Sequence, residues 1–297
     1  MRLITRGDLD GLTSAVIITS NEPIKEIKLV HPQDITDHRI EVTKQDILAN
    51  VPFDPRCGKW FDHHLLTDNN PKPAAKFEGA YGLAPSAAHL VYEYYGGAKK
   101  MPQFEKLVAE TDRLDSATLT PADVTDPKDY ILLGYTIDNR TGLGAFEDYF
   151  LLLTDLLKTK RIDEIVNHPL VKTRWDRIRA DEANFREATQ KHSRLDGNVV
   201  ITDFRPLATI PVGNRFVVYT LFPAANVSLR IHFGPQKKFV VAAVGHSIFN
   251  RTCKTAVGEL MGRYGGGGHK GAGTAPLPAD KAEQQLTEII AVLKRNG

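Results

Sequence analysis

The sequence predicts an α/β protein with two domains. The N-terminal domain has a mainly parallel sheet flanked by helices, and the smaller C-terminal α/β domain has a mixed sheet. Three observations predict this. The chain opens as an apolar strand, a glycine-bearing turn and a helix, the first unit of an α/β fold. Its 297 residues exceed one typical core and suit two domains. Its charge is segregated: residues 198–297 carry 12 Lys+Arg against 5 Asp+Glu and the rest carries 26 against 31, behind a formal net charge of +2. A carboxylate-rich part joined to a basic part fits a cation site in the first and an anion-binding surface in the second.

The hydrophobic share of 42% and charged share of 25% are ordinary for a soluble globular protein. Cys57 and Cys253 form neither a metal-binding pair nor a disulfide framework, so a reducing cytoplasm is the expected compartment. The chain reaches Arg6, Asp8 and Asp10 too soon for a signal peptide, and no apolar run approaches a membrane span, so no membrane partner is expected.

Residues 1–5 are a short apolar strand, Arg6-Gly7-Asp8-Leu9-Asp10-Gly11 is a turn, and residues 12–19 begin a helix. Such a turn lies at the carboxyl edge of a parallel sheet, where these folds place ligands. Asp8 and Asp10 repel unless they share a cation or protons, and a divalent metal relieves that repulsion; the plainer alternative is one aspartate capping the helix. Residues 24–30 form a second strand, placed near an edge by Lys25, Glu26 and Lys28. Residues 35–46 are polar and ambiguous, with Asp34 and Asp46 as weaker ligand candidates. Residues 47–53 deliver Asp54, although Pro52 excludes a regular central ladder at its own position.

Residues 58–61 lead directly into Asp62-His63-His64. Side chains alternate along an extended segment, so one histidine meets a metal while the other supports it or faces substrate. A plain core explanation is poor, because two adjacent buried imidazoles would each need partners. Residues 67–82, rich in Asn, Pro and Gly, read as loop. Residues 85–95 read as a helix stopped by Gly96-Gly97, its tyrosines packing and His89 in the core or on a helix face. Residues 104–111 are helical, and Asp112 and Asp115 follow. Asp115 with Ser116 reads as the cap of a next helix, which leaves Asp112 as the better ligand.

Residues 145–157 form an amphipathic helix and residues 171–192 a long charged one, with a break at 194–197. The second domain then runs through strands at 198–203, 215–222, 227–233 and 238–244, a helix at 255–264, a connection at 276–279 and a final helix at 282–294. Between the last helices, Gly265-Gly266-Gly267-Gly268-His269-Lys270-Gly271-Ala272-Gly273 reads as a loop whose N–H groups approach an anion, with His269 and Lys270 as further donors. It lacks the Gly-Lys-Ser/Thr ending of a nucleotide-triphosphate loop. Arg230, Asn250 and Arg251 could add phosphate clamps. The first domain's convergent carboxylates suggest a metal centre at strand ends, and its oxygen and nitrogen donors suit manganese better than a soft metal.

Asp8-Leu9-Asp10-Gly11, Phe61-Asp62-His63-His64, and Gly265 to His269 with Gly271-Ala272-Gly273 span almost the whole chain. In this order the chain resembles the DHH phosphoesterase family, in particular members with an accessory DHHA1 domain (the nanoRNase and exopolyphosphatase-related type). The resemblance implies a DHH metal-binding catalytic domain at 1–193, including its connecting helix, and a DHHA1 substrate-binding domain at 198–297, with the active site in the cleft between them. It implies two divalent ions, usually manganese with magnesium or cobalt as substitutes. Asp8, Asp10, Asp54 as the bridging aspartate, His63 and Asp112 would hold them, with Asp34, Asp46 and Asp115 open as replacements. Asp62 and His64 would orient ligands or contact phosphate, and Arg6 would meet a substrate phosphate. Arg230, Asn250, Arg251, Gly266, Gly267, Gly268, His269 and Lys270 would bind substrate.

One departure is visible. Many family members carry a metal-binding histidine just before the first aspartate pair, where this chain has Ile4-Thr5-Arg6-Gly7. The single-strand exonuclease branch also lacks it, and the change implies a weaker hold on one ion. The implied activity is manganese-dependent hydrolysis of short single-stranded oligonucleotides or small nucleotide phosphates, with hydroxide shared by two ions about 3.5–4 Å apart. An exopolyphosphatase acting on polyphosphate, or a nucleotide-binding protein with a degenerate metal site, are the alternatives. A homodimer is compatible with the sequence, which fixes no oligomeric state.

Overall fold

The computed structural model describes residues 1–64, 76–137 and 146–296. In chain order its elements begin with β1 (Arg2–Thr5), α1 (Leu9–Asn21), β2 (Glu26–Leu29), α2 (Pro32–Thr36), β3 (Asp46–Ala49), β4 (Lys59–Asp62) and β5 (Glu78–Tyr81). There follow α3 (Ala87–Tyr94), α4 (Gly97–Lys100), α5 (Glu105–Asp115), α6 (Pro121–Thr125), α7 (Asp129–Thr136), α8 (Phe146–Thr159), α9 (Ile162–Val166) and α10 (Pro169–Lys191). The remainder is β6 (Ser193–Asp196), β7 (Val199–Asp203), α11 (Val217–Leu221), β8 (Val227–Phe233), β9 (Phe239–His246), α12 (Val257–Gly262), β10 (Gly267–His269), β11 (Ala272–Pro278) and α13 (Ala282–Arg295). These fall into two compact units, Met1–Thr118 with Pro127–Arg177, and Leu119–Asp126 with Ile178–Gly297.

The first unit holds a five-stranded sheet of order β2-β1-β3-β4-β5, parallel throughout. Its central strands are short apolar runs, as expected where both faces are covered. Alternation sends Leu3, Ile47, Ala49 and Phe61 to one face, against Leu12, Val16, Val91, Leu107, Phe150 and other helical residues. Ile4, Leu48 and Trp60 go to the other face, with Ile35, Val42 and Val51. On that face Trp60 stacks on Tyr81 at 5.1 Å between ring centroids. Because β1, β3 and β4 are parallel, Asp8, the residues after Ala49 and the Asp62-His63-His64 segment all leave the sheet at its carboxyl edge.

Two sequence expectations change in this unit. The loop expected at 67–82 has residues 67–75 outside the described residues, and Glu78–Tyr81 is the edge strand β5. Its Glu-Gly-Ala-Tyr sequence carries no apolar run; pairing with β4 makes it a strand, and a Cβ on Gly79 (φ +126°) would lie 2.0 Å from the Trp60 carbonyl oxygen. The helix expected at 104–111 continues to Asp115, so Asp112 and Asp115 lie on successive turns of α5. The helix expected from residue 145 is α8, with residue 145 itself outside the described residues.

The second unit is built on a six-stranded sheet of order β10-β11-β9-β8-β7-β6. β7 and β8 run parallel and the other neighbours antiparallel, which makes the sheet mixed. Ala282, Leu286, Ile289 and Leu293 form the buried stripe of α13 and join Val199, Ile201, Leu229, Ala242 and Leu277 in one core. The strand expected at 215–222 is instead the helix α11. An apolar run of this length suits a buried helix turn as well as a strand, and here Val218 and Tyr219 bury with Val200 and Ala225. The break expected at 194–197 is β6 and a turn at Gly197 (φ +63°) into β7. The glycine-rich stretch is the hairpin β10–β11 rather than a plain loop: a Cβ at Gly266 would meet the Thr274 carbonyl oxygen at 2.0 Å, and one at Gly268 the Ala272 oxygen at 2.2 Å. Among the described residues, no helix is long and apolar enough to cross a membrane.

Candidate metal centre

The turn after β1 does two jobs. Asp8 caps α1, its Oδ1 accepting from Gly11 N at 2.8 Å and from Asn50 Nδ2 at 3.0 Å, while its Oδ2 lies 3.2 Å from Arg6 Nε. Asp10, in the first turn of α1, is 1% exposed. Its two oxygens accept from Ala87 N (3.0 Å) and Ala88 N (2.7 Å), the opening amides of α3. Burial, then the charges of Asp115 and Asp8, still hold Asp10 well above the ordinary carboxylate range against those two donors.

β4 delivers the histidines. His63 Nδ1 lies 3.0 Å from the Ala84 carbonyl oxygen, a pairing in which Nδ1–H donates and Nε2 is left as a bare lone pair. That Nε2 is buried and makes no hydrogen bond, although it lies 3.2 Å from Asp115 Oδ2 and 3.7 Å from Asp10 Oδ2. Asp62 Oδ1 accepts from His63 N (3.0 Å) and is 2.7 Å from His64 Nδ1. The hydrogen bond to Asp62 holds His64 above the ordinary histidine value, against burial and Arg6. Asp62 therefore clamps the backbone of one histidine and the ring of the next.

Asp115, from the last turn of α5, completes a group of three in which one ligand atom each of Asp10, His63 and Asp115 lies within 4.8 Å of the others. Burial raises Asp115 and Asp8 adds to the rise, while His63 counters it only when its ring is protonated. Two strained carboxylates and an imidazole lone pair without a donor are a poor arrangement on their own and a good one around a cation. Their hard oxygen and borderline nitrogen donors fit a divalent metal such as manganese or magnesium.

The chain is similar over its full length to a solved structure, the pGpG-specific phosphodiesterase PggH from Vibrio cholerae: 37% identity, TM-score 0.86, 100% of this chain and 99% of that one. The chain belongs to the same phosphodiesterase family as that protein, with structural homology to DHH/DHHA1-superfamily phosphoesterases. Two more distant structures share the fold. One is a DHH domain described as a member of a family of ribosomal proteins (14% identity, TM-score 0.62, 99% and 87% coverage). The other is manganese-bound RecJ from Thermus thermophilus (12% identity, TM-score 0.57, 99% and 52% coverage). No protein-family model and no curated protein matches the chain.

Of the residues that the DHH resemblance assigns to metal, the structure brings Asp10 and His63 together and sets Asp8 beside them through its charge on Asp10 and Asp115. It does not bring Asp54 or Asp112 into that group. Asp54 is buried, but its oxygens meet Arg56 Nε (2.9 Å) and Nη2 (2.6 Å). Burial alone would raise Asp54; Arg56 outweighs it and holds the carboxyl below the ordinary range. Asp112 accepts from Ser86 Oγ at 2.6 Å and pairs with His89 Nδ1 at 2.8 Å. The same Ser86 caps α3 and precedes the two amides that hold Asp10. Asp112 thus braces the backbone that positions Asp10, while Asp115, one turn further along α5, reaches His63.

The sequence ranks Asp115 below Asp112, reads His89 as a core or helix-face residue and does not single out Asn50. The signal for Asp115 was the absence of any Pro or Gly between residues 104 and 115, which lets one helix carry both aspartates. The signal for Asn50 was its place directly after the apolar run of β3.

In the second unit, Arg230 lies on β8. Asn250 Nδ2 donates to the Ala224 carbonyl and Arg251 Nε to that of Ile248. Gly267, Gly268 and His269 form β10, Gly266 precedes it, and Lys270 and Gly271 make the turn, with the glycines and both side chains at its outer edge exposed or half-buried.

Proposed function

We propose that this chain is a manganese-dependent phosphodiesterase that cleaves short oligonucleotides, dinucleotides of the pGpG kind foremost, into mononucleotides. The Asp10–His63–Asp115 group, with Asp10 buried and His63 Nε2 without a hydrogen bond, carries the reading. Full-length identity of 37% to a pGpG-specific phosphodiesterase supports the substrate class.

When bound, divalent cations supply Lewis-acid polarisation of a phosphoryl oxygen and an acidified water. The chain's own residues hold and orient. Asp10 and Asp115 offer carboxylate oxygens whose mutual repulsion a cation relieves, and His63 offers Nε2 with its ring fixed through Nδ1 by Ala84. Asp8 supplies a further carboxylate for a second ion. Asp62 orients the two histidines and His64 faces the substrate phosphate. Arg6, half-exposed beside Asp8, stands where many family members have a histidine, and its guanidinium binds a phosphate oxygen as a planar donor. In the basic unit, Arg230, Asn250, Arg251, Gly266 to Gly268, His269 and Lys270 are the residues proposed to bind nucleotide phosphate.

The test is chromatography of products from pGpG, other dinucleotides, 3′-phosphoadenosine 5′-phosphate and polyphosphate, each with manganese. Mononucleotide release from the dinucleotides is expected. Orthophosphate released from polyphosphate alone would replace this reading with an exopolyphosphatase. Tight binding of pGpG without turnover would replace it with a nucleotide binder.

A further inference from the structure

Asn50 immediately follows β3. Its backbone N–H donates to the Phe61 carbonyl (3.0 Å), one residue before Asp62, and its side-chain Nδ2 donates to Asp8 Oδ1 (3.0 Å). The residue therefore lies between the turn that carries Asp8 and the strand end that carries His63, at the carboxyl edge of the parallel sheet. Two features of Asn50 are unfavourable by themselves. Its backbone is left-handed (φ +58°), a region that non-glycine residues seldom adopt, although asparagine tolerates it best. Its Oδ1 is buried and accepts no hydrogen bond, in a side chain 1% exposed. Strain and an orphaned acceptor on one residue, which is hydrogen-bonded to Asp8 and to the carbonyl just before Asp62, point to a role in the site. An amide oxygen is a hard, neutral donor of the kind that manganese and magnesium accept.

We propose that Asn50 Oδ1 is a ligand of the divalent-cation centre, and that Asn50, rather than Asp54, is what the β3 segment contributes to it. This rests on the metal reading above. The consequence is a centre with one negative charge fewer than a carboxylate at this position would give. Nδ2 at the same time holds Asp8 in place, so one carboxamide serves both the cation and its neighbouring ligand. Asp54 stays committed to Arg56.

The experiment is calorimetric titration of chelator-stripped protein with manganese, alongside melting curves with and without the ion. The proteins compared are wild type, Asn50→Gly, Asn50→Asp and Asp54→Asn. Glycine suits the left-handed backbone, so Asn50→Gly removes the carboxamide without new strain. Its manganese affinity is expected to fall about tenfold or more, with a smaller manganese-induced rise in melting temperature. Asn50→Asp is expected to melt lower than wild type without metal, because it faces Asp8, and to bind manganese more tightly. Asp54→Asn is expected to titrate like wild type. Wild-type stoichiometry and affinity in Asn50→Gly overturns the inference, as does a loss of manganese binding confined to Asp54→Asn. A wild-type protein that takes up no manganese sinks the metal reading itself, and this inference with it.

Discussion

At the scale of single residues, the site is a set of carboxylates and imidazoles whose partners decide their work. His63 and His64 are neighbours in sequence and differ in bonding, because Ala84 takes Nδ1 of the first and Asp62 takes Nδ1 of the second. Asp62 acts through both. Asp62→Asn keeps its size and removes its charge, and manganese affinity is expected to fall about 10–100-fold while the apo protein melts close to wild type. Unchanged manganese affinity would reduce Asp62 to a turn residue. The Asp-His-His triplet was readable because one carboxylate and two imidazoles on an apolar run-in need partners. Asp115 and Asn50 were harder to read. Asp115 mimics a helix cap until α5 is known to continue through it, and Asn50 carries no charge to mark it as a ligand.

At the scale of elements, the carboxyl edge works because β1, β3 and β4 hold register. A half-buried ion pair pins two of them: Arg2 donates from Nε (2.7 Å) and Nη2 (2.9 Å) to Asp46, whose Oδ2 also accepts from Thr43 N (2.7 Å). Burial alone would raise Asp46, but Arg2 and Thr43 outweigh it and hold the carboxyl below its ordinary value of 3.8. The stabilisation is therefore complete above that value and is lost as pH falls from it through the depressed one. Asp46→Asn is expected to cost about 1–3 kcal/mol at neutral pH and to flatten part of the acid limb below pH 3.8, read by urea denaturation across pH. Superimposable acid limbs for the two proteins would contradict this. Asp46 itself was weighed from sequence as a weak ligand candidate, since nothing local announces a partner 44 residues away. The same limit hid β5 and misread 215–222: short segments take their structure from what they pair with or bury against, and α11 and β5 have little pattern of their own.

At the scale of the whole molecule, the two α/β units and the parallel and mixed character of their sheets were legible. Strand-turn-helix order, central apolar runs and the alternation of 227–233 are properties of the sequence itself. The glycine-rich stretch was legible as a special backbone but not as a hairpin, because the carbonyls that forbid a Cβ at Gly266 and Gly268 come from β11. Structural homology to DHH/DHHA1-superfamily phosphoesterases joins these features to a cluster of metal-type side chains. The central claim is that this cluster hydrolyses a short nucleotide substrate through bound divalent ions. The most direct measurement is pGpG turnover by chelator-stripped protein before and after manganese is restored, in wild type and in His63→Ala. A metal-dependent centre predicts no turnover when stripped, recovery with manganese in wild type, and at least about a 100-fold deficit in His63→Ala at the same manganese concentration. Turnover that survives chelation, or full recovery in His63→Ala, would contradict it.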